Sequence, residues 1–165
     1  NSVYDFACEK GYKTVDQRPI SVNELKKNIT KSKIDILVTH AFMKILPKEV
    51  FSAPKYTSIN IHPSLLPKYR GPSPTYWVLK NRDKTTGLTC HYIDEGVDTG
   101  DIISQSITIV QPDDTIDSII EKQKLTLNDL VDDCIKKIVD PAFIPELQKE
   151  KLSSYAPRPK SIEIF

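Results

Sequence analysis

The chain has 165 residues, 39% of them hydrophobic and 27% charged, with a formal net charge of +1. That length suits one globular domain with a real core, and that balance argues against a disordered chain or a strongly cationic nucleic-acid binder. No apolar run approaches the roughly 18 residues of a membrane span, no secretory signal is legible, and the widely spaced Cys8, Cys90 and Cys134 fit a reducing cytoplasm better than a disulfide framework or a zinc site.

Residues 2–10 predict a short amphipathic helix stopped by Gly11, and KTVDQ at 13–17 predicts a short strand. Ser21 and Glu24 form a capping box that opens a helix to about Lys31. IDILVTHAF at 34–42 is a continuous apolar and β-branched run, as expected of a strand buried on both faces. Pro47 starts a short helix, PKEVFSA, and TSINIH at 57–62 is a second strand of the same kind. The helix between these strands makes them a parallel β-α-β unit with a right-handed crossover. SPTYWVLKNR at 73–82 predicts a further helix. TGLTCHYID at 86–94 and DIISQSITIV at 101–110 alternate polar and apolar residues, joined by the hairpin-like EGVDTG. From Thr115 to about Val139 the apolar positions recur at helical spacing, which predicts one long amphipathic helix. PAFIPELQKEKL adds a short turn before a Pro-rich stretch, YAPRPKS. The expectation is one α/β domain over residues 1–150, its sheet mostly parallel and ending in an antiparallel pair, with 151–165 as a tail or the start of a linker.

Four polar residues stand out as candidates for chemistry: Asn60, His62, Ser64 and Asp98. Asn60 and His62 alternate on one strand, so both side chains project from the same face. Pro63 and Pro67 then stop the strand, which places the pair at a strand's C-terminal end, where open α/β sheets carry their sites. Asp98 lies in a Gly-flanked loop that has the freedom to aim a side chain into a cleft. The plainer readings are a satisfied structural histidine and a turn aspartate, and His40 and His91, with no motif around them, are read as structural. Ser64 lacks the G-x-S-x-G elbow of a serine hydrolase. A third metal ligand at sensible spacing does not present itself, and the five glycines are too scattered for a phosphate loop. Spacing alone therefore stops at a polar site in an α/β fold.

INIHPSLLPKYRG, followed later by GVDTGD, resembles the folate-dependent formyltransferases, a family that includes enzymes acting on methionyl-tRNA, glycinamide ribonucleotide and nucleotide sugars. The likeness runs from about residue 1 to 140 and includes AFMKILP at 41–47. It implies a Rossmann-like formyltransferase fold with helices on both faces of the sheet. It also implies a catalytic trio of Asn60, His62 and Asp98, and no metal. The folate pocket would fall on Phe42, Met43, Lys44, Ile45 and Leu46 and on Asp94, Glu95, Gly96 and Val97. Plain core packing remains the alternative for Met43 and Ile45.

The implied reaction moves a formyl group from 10-formyltetrahydrofolate to a primary amine, through a tetrahedral intermediate with negative charge on the former carbonyl oxygen. Asn60 and His62 would donate to that oxygen, Asp98 would favour the imidazolium and offer the amine a proton path. YRGPSP is nearer the tRNA and sugar enzymes, which favours an aminoacyl-tRNA or amino-sugar acceptor, although the near-neutral charge gives tRNA no support of its own. Glycinamide ribonucleotide formyl transfer in purine synthesis, or a non-catalytic folate-binding remnant, are the alternatives. The family fold begins with a strand, a glycine-bearing loop and a helix ahead of the segment that opens this chain. The expectation is that Asn1 is not the natural start, that about two strands and a helix precede it, and that an apolar edge near 13–17 and 34–39 is exposed or covered by a partner copy.

Overall fold

The structure, a computed structural model, describes residues 3–14, 21–42 and 44–160. Helix α1 (Val3–Glu9) ends ahead of Gly11, and α2 (Val22–Lys31) opens on the predicted capping box. The Glu24 N–H donates to Ser21 Oγ at 3.2 Å, and the Ser21 N–H donates to the Glu24 carboxylate at 3.0 Å. Of the strand predicted over 13–17, Lys13 and Thr14 are irregular, and Val15, Asp16 and Gln17 lie outside the described residues. There follow β1 (Ile36–His40), α3 (Lys48–Phe51), β2 (Thr57–His62), α4 (Pro74–Lys80), β3 (Thr85–Tyr92), β4 (Ile102–Ile109), α5 (Ile116–Val139) and a single 3-10 turn, Glu150–Leu152.

The strands form one four-stranded sheet in the order β1-β2-β3-β4. β1 and β2 are parallel, β3 runs antiparallel to β2, and β4 antiparallel to β3. The expected antiparallel pair is present. The parallel part among the described residues is one pair, because the chain returns through α4 to lay β3 against β2 in the opposite direction.

Side-chain alternation sorts the two faces. Ile59, Ile61, Leu88, Cys90 and Ile103 point one way and pack on Leu130 and Cys134 of α5. Residues of opposite parity, Leu37 on β1 and Ser58 on β2, face the other way, where α2 and α3 supply Ile29 and Val50, and Ser58 Oγ donates to the Phe51 carbonyl at 2.7 Å. These short helices cover only the starting halves of β1 and β2. The finishing halves of the same face stay open, and the site forms there.

β1 has the apolar composition of a strand buried on both faces, and among the described strands it shows the open apolar edge expected near 34–39. Val38 of β1 is 44% exposed, whereas Ile59 beside it on β2 is fully buried. The reason is position, since α5 packs over β3 and β4 and β1 lies at the sheet's edge among the described strands.

Residues after α5 return to the sheet and the loop behind β2. Glu146 exchanges two backbone hydrogen bonds with Ile102, at 2.8 and 2.9 Å. Arg70 pairs with the segment around Tyr155 through Ser154 and Ala156, and Trp77 Nε1 donates to the Pro157 carbonyl at 2.7 Å. The β3–β4 turn lies so close to β3 that a Cβ at Gly100 would sit 1.9 Å from the Tyr92 carbonyl oxygen. Gly100→Ala is therefore expected to destabilise the fold by about 1–3 kcal/mol, the range for forced overpacking. Urea unfolding measures this, and an unchanged midpoint would show that the turn has slack.

Candidate active site

A cavity of about 410 Å³ opens at the C-terminal ends of β1 and β2. That volume suits a small-molecule ligand. Its floor is a row across three strands, Thr39, Asn60 and His91, set side by side by the strand register. Thr39 Oγ1 donates to Asn60 Oδ1 at 2.8 Å. Asn60 Nδ2 donates to His91 Nε2 and to Asp98 Oδ1, both at 3.2 Å. The Tyr92 carbonyl lies 2.8 Å from His91 Nδ1. A carbonyl only accepts, so Nδ1 carries a proton; in the neutral ring Nε2 then accepts from the Asn60 amide, and in the protonated ring its N–H faces Asp98 Oδ1 instead.

His62 projects from the same strand face two residues further on, and Pro63 ends the strand there. Its Nε2–H donates to the Tyr69 carbonyl at 2.8 Å, leaving Nδ1 3.5 Å from Asp98 Oδ2. Asp98 reaches in from the β3–β4 turn with φ +53°, a left-handed conformation that is costly for a side-chain-bearing residue. The Gly71 N–H donates to Asp98 Oδ2 at 2.8 Å, and His91 Nε2 lies 3.5 Å from Oδ1. Gly71 itself has φ +103°, and a Cβ there would meet the Tyr155 ring at 2.7 Å, so glycine alone lets the Tyr155 segment close over this wall.

These contacts set the charges. Burial, the largest single influence, pushes the Asp98 carboxyl up, but His91, His62 and the Gly71 N–H together outweigh it and leave the carboxyl below its ordinary value. For His62 burial is again the largest influence and holds the ring below its ordinary value, although the Asp98 carboxylate and the Tyr69 carbonyl pull it up. Asp98 favours the imidazolium as expected, and burial of a ring only 4% exposed outweighs it.

Asn60, His62 and Asp98 thus meet at one cavity. Ser64 does not join them, since it is fully buried and donates to the Lys68 carbonyl at 2.7 Å. Phe42, Lys44, Ile45 and Leu46 line the cavity on an irregular segment beyond β1, while Met43 lies outside the described residues. Asp94, Gly96 and Val97 line it from the opposite loop. Asp94 Oδ1 is occupied in shaping that loop, accepting from the Gly96 N–H at 3.0 Å and from Thr99 Oγ1 at 2.7 Å. Glu95 points away, to an exposed pair with Lys48 at 2.6 Å. His91, read from sequence as structural, is a member of the site. Its signal was alternation on β3, legible only once the register with Asn60 is known. His40 stays at the edge and donates from Nδ1 to the Ile61 carbonyl at 3.0 Å.

Residues 3–129 match the family described as formyl transferase. The methionyl-tRNA formyltransferase of Caldanaerobacter subterraneus subsp. tengcongensis is 34% identical over 156 residues, 94% of this chain and 50% of that protein. The chain thus spans about half the length of such curated relatives. Among solved structures, phosphoribosylglycinamide formyltransferase from Bacillus halodurans superposes with a TM-score of 0.73 at 26% identity, over 84% of this chain and 75% of that one. WlaRD, a sugar 3N-formyl transferase determined in the presence of dTDP and 5-N-formyl-THF, gives 0.70 at 25% identity, over 95% of this chain and 53% of that one.

A buried histidine held below its ordinary value contributes stability that is fully present above its unfolded value of about 6.5 and is lost as pH falls below that point. The lowered Asp98 acts in the same direction further down, below about 3.9. Urea midpoints are expected to fall from about pH 6.5 toward pH 5 in the parent protein and to fall less steeply in His62→Gln. Equal slopes in the two proteins would contradict the assignment.

Proposed function

The chain belongs to the formyl transferase family, and on that premise we propose that this cavity transfers a formyl group from 10-formyltetrahydrofolate to a primary amine. The observation that carries the reading is the meeting of the Asp98 carboxyl group, the buried His62 ring and the Asn60 amide at one open cavity. Bound 10-formyltetrahydrofolate supplies the one-carbon group. Phe42 (48% exposed) and Ile45 (72% exposed) offer apolar faces for a flat ring. Residues 41, 42 and 44–46 lie outside any helix or strand, so their N–H and C=O groups are free of ladder partners. The residues present fit a pterin.

Asp98 is held ionised and faces the cavity, so it accepts the proton that the attacking amine must lose. His62 Nδ1 lies next in line, and a proton passed to it gives the ring an N–H to hand to the donor nitrogen as its bond to the formyl carbon breaks, so the proton the acceptor loses leaves on tetrahydrofolate. Asn60 has both N–H bonds committed at 3.2 Å, near the long limit for hydrogen bonds. A formyl oxygen that gathers charge therefore competes well for one of them.

For the acceptor, the relatives' names favour the amino group of methionyl-tRNA, and the likeness to WlaRD supports an amino sugar as the second reading. We count residues 144–158 with the catalytic domain, because Tyr155 and Arg158 line the cavity. The experiment is to incubate the protein with 10-formyltetrahydrofolate and methionyl-tRNA, a nucleotide-linked amino sugar or glycinamide ribonucleotide in turn, and to identify the formylated product. Folate binding without turnover on any of them would favour the non-catalytic alternative. Separately, a folate analogue is expected to slow amide exchange at Phe42, Lys44, Ile45, Gly96 and Val97. Protection confined to α5 would place the folate elsewhere.

A further inference from the structure

Asp98 is gripped twice, by its carboxylate and by its main chain, and the second grip comes from a residue far along the chain. Gln148 Nε2 donates to the Asp98 carbonyl at 2.9 Å and to the Gly100 carbonyl at 2.7 Å, so both amide hydrogens are spent on one turn. Gln148 Oε1 accepts from Nε and Nη2 of Arg70 at 3.0 and 2.9 Å. Arg70 Nη1 in turn meets the two carboxylate oxygens of Glu150 at 3.1 and 2.9 Å. Although it is a charged residue, Arg70 is 7% exposed, so its guanidinium is an immobile platform. Arg70 also immediately precedes Gly71, whose N–H holds Asp98 Oδ2. A closed ring of bonds results. It runs from the Arg70 side chain through Gln148 to the Asp98 carbonyl, and back from the Asp98 carboxylate to the main chain beside Arg70.

A non-glycine residue at φ +53° persists only where its surroundings over-determine it. The bonds to the Asp98 carboxylate fix where that group ends, and the bond to its carbonyl fixes the backbone from which it starts. We propose that Gln148 is a positioning residue for Asp98, holding the 98–100 turn in the conformation that presents the carboxylate to Asn60, Gly71, His62 and His91. Its consequence for turnover rests on the formyl-transfer reading of the cavity. Gln148 does not line that cavity and acts through the main chain.

Two variants separate positioning from charge and from fold. Gln148→Glu keeps an acceptor for Arg70 and loses both N–H donors; Gln148→Met is neutral and loses donors and acceptor together. Each is followed by thermal unfolding, by kcat and KM for 10-formyltetrahydrofolate, and by the NMR titration of the Asp98 carboxyl carbon. In both, kcat is expected to fall about 10- to 100-fold, the scale of a misplacement near 1 Å, with KM for the donor unchanged. The Asp98 titration is expected to move upward in both, since a carboxylate turned from its partners is left with burial. A folded variant with the parent's kcat and Asp98 titration would overturn the proposal, as would an upward shift in Gln148→Glu alone, which charge repulsion explains. If the parent protein transfers no formyl group to any acceptor, the formyl-transfer reading fails, and the carboxyl titration still decides the role of Gln148.

Discussion

A carboxylate with 15% of its side chain exposed is tolerable only if its oxygens are matched by donors. Asp98 meets that condition through the Asn60 amide on one oxygen and the Gly71 N–H on the other, with a histidine ring beside each. Most of the site follows from this requirement. Asn60 can supply its N–H because Thr39 occupies its oxygen. Gly71 can supply its N–H because a residue without Cβ lets the Tyr155 ring close over it. Removing any of these partners leaves a buried charge short of a bond, which costs more than the bond itself contributes.

The sheet makes the arrangement possible. Parallel pairing of β1 with β2 brings two strand ends to one place, and antiparallel pairing of β2 with β3 sets His91 opposite Asn60. Helix α5 seals the other face with an apolar core, so the polar row is free to open on a cavity. The short α2 and α3 leave the finishing half of that face bare. Rigid strands carry Asn60, His62 and His91, and a turn carries Asp98, which explains why that turn needs outside support.

Local pattern made much of this legible in the sequence. Alternation put Asn60 and His62 on one face, the prolines marked the strand end, and the capping box at Ser21 set the start of α2. The roles of Asn60, His62 and Asp98 came only with the family resemblance, because an Asp in a Gly-rich turn looks like any other. His91 was not legible, since its membership depends on cross-strand register, which no single segment encodes. The partnership of Arg70 with Gln148 and Glu150 joins residues distant in sequence, and nothing local marks it. β1 was legible in composition but not in cover: an apolar run shows that a strand is apolar, and the open edge expected near 34–39 is seen in the exposed Val38. The charge state of His62 was likewise a contest between burial and a carboxylate that composition cannot settle.

The central claim is that an ionised Asp98 at this cavity takes the proton released during formyl transfer. Single-turnover transfer to the acceptor that the parent protein accepts, compared with Asp98→Asn, tests it most directly. The amide is isosteric, can still accept from Gly71, and cannot take up the proton. Transfer is expected to slow by about 100-fold or more, within the range for loss of a general base, with donor affinity retained. Transfer at the parent rate by a folded Asp98→Asn protein would contradict the claim.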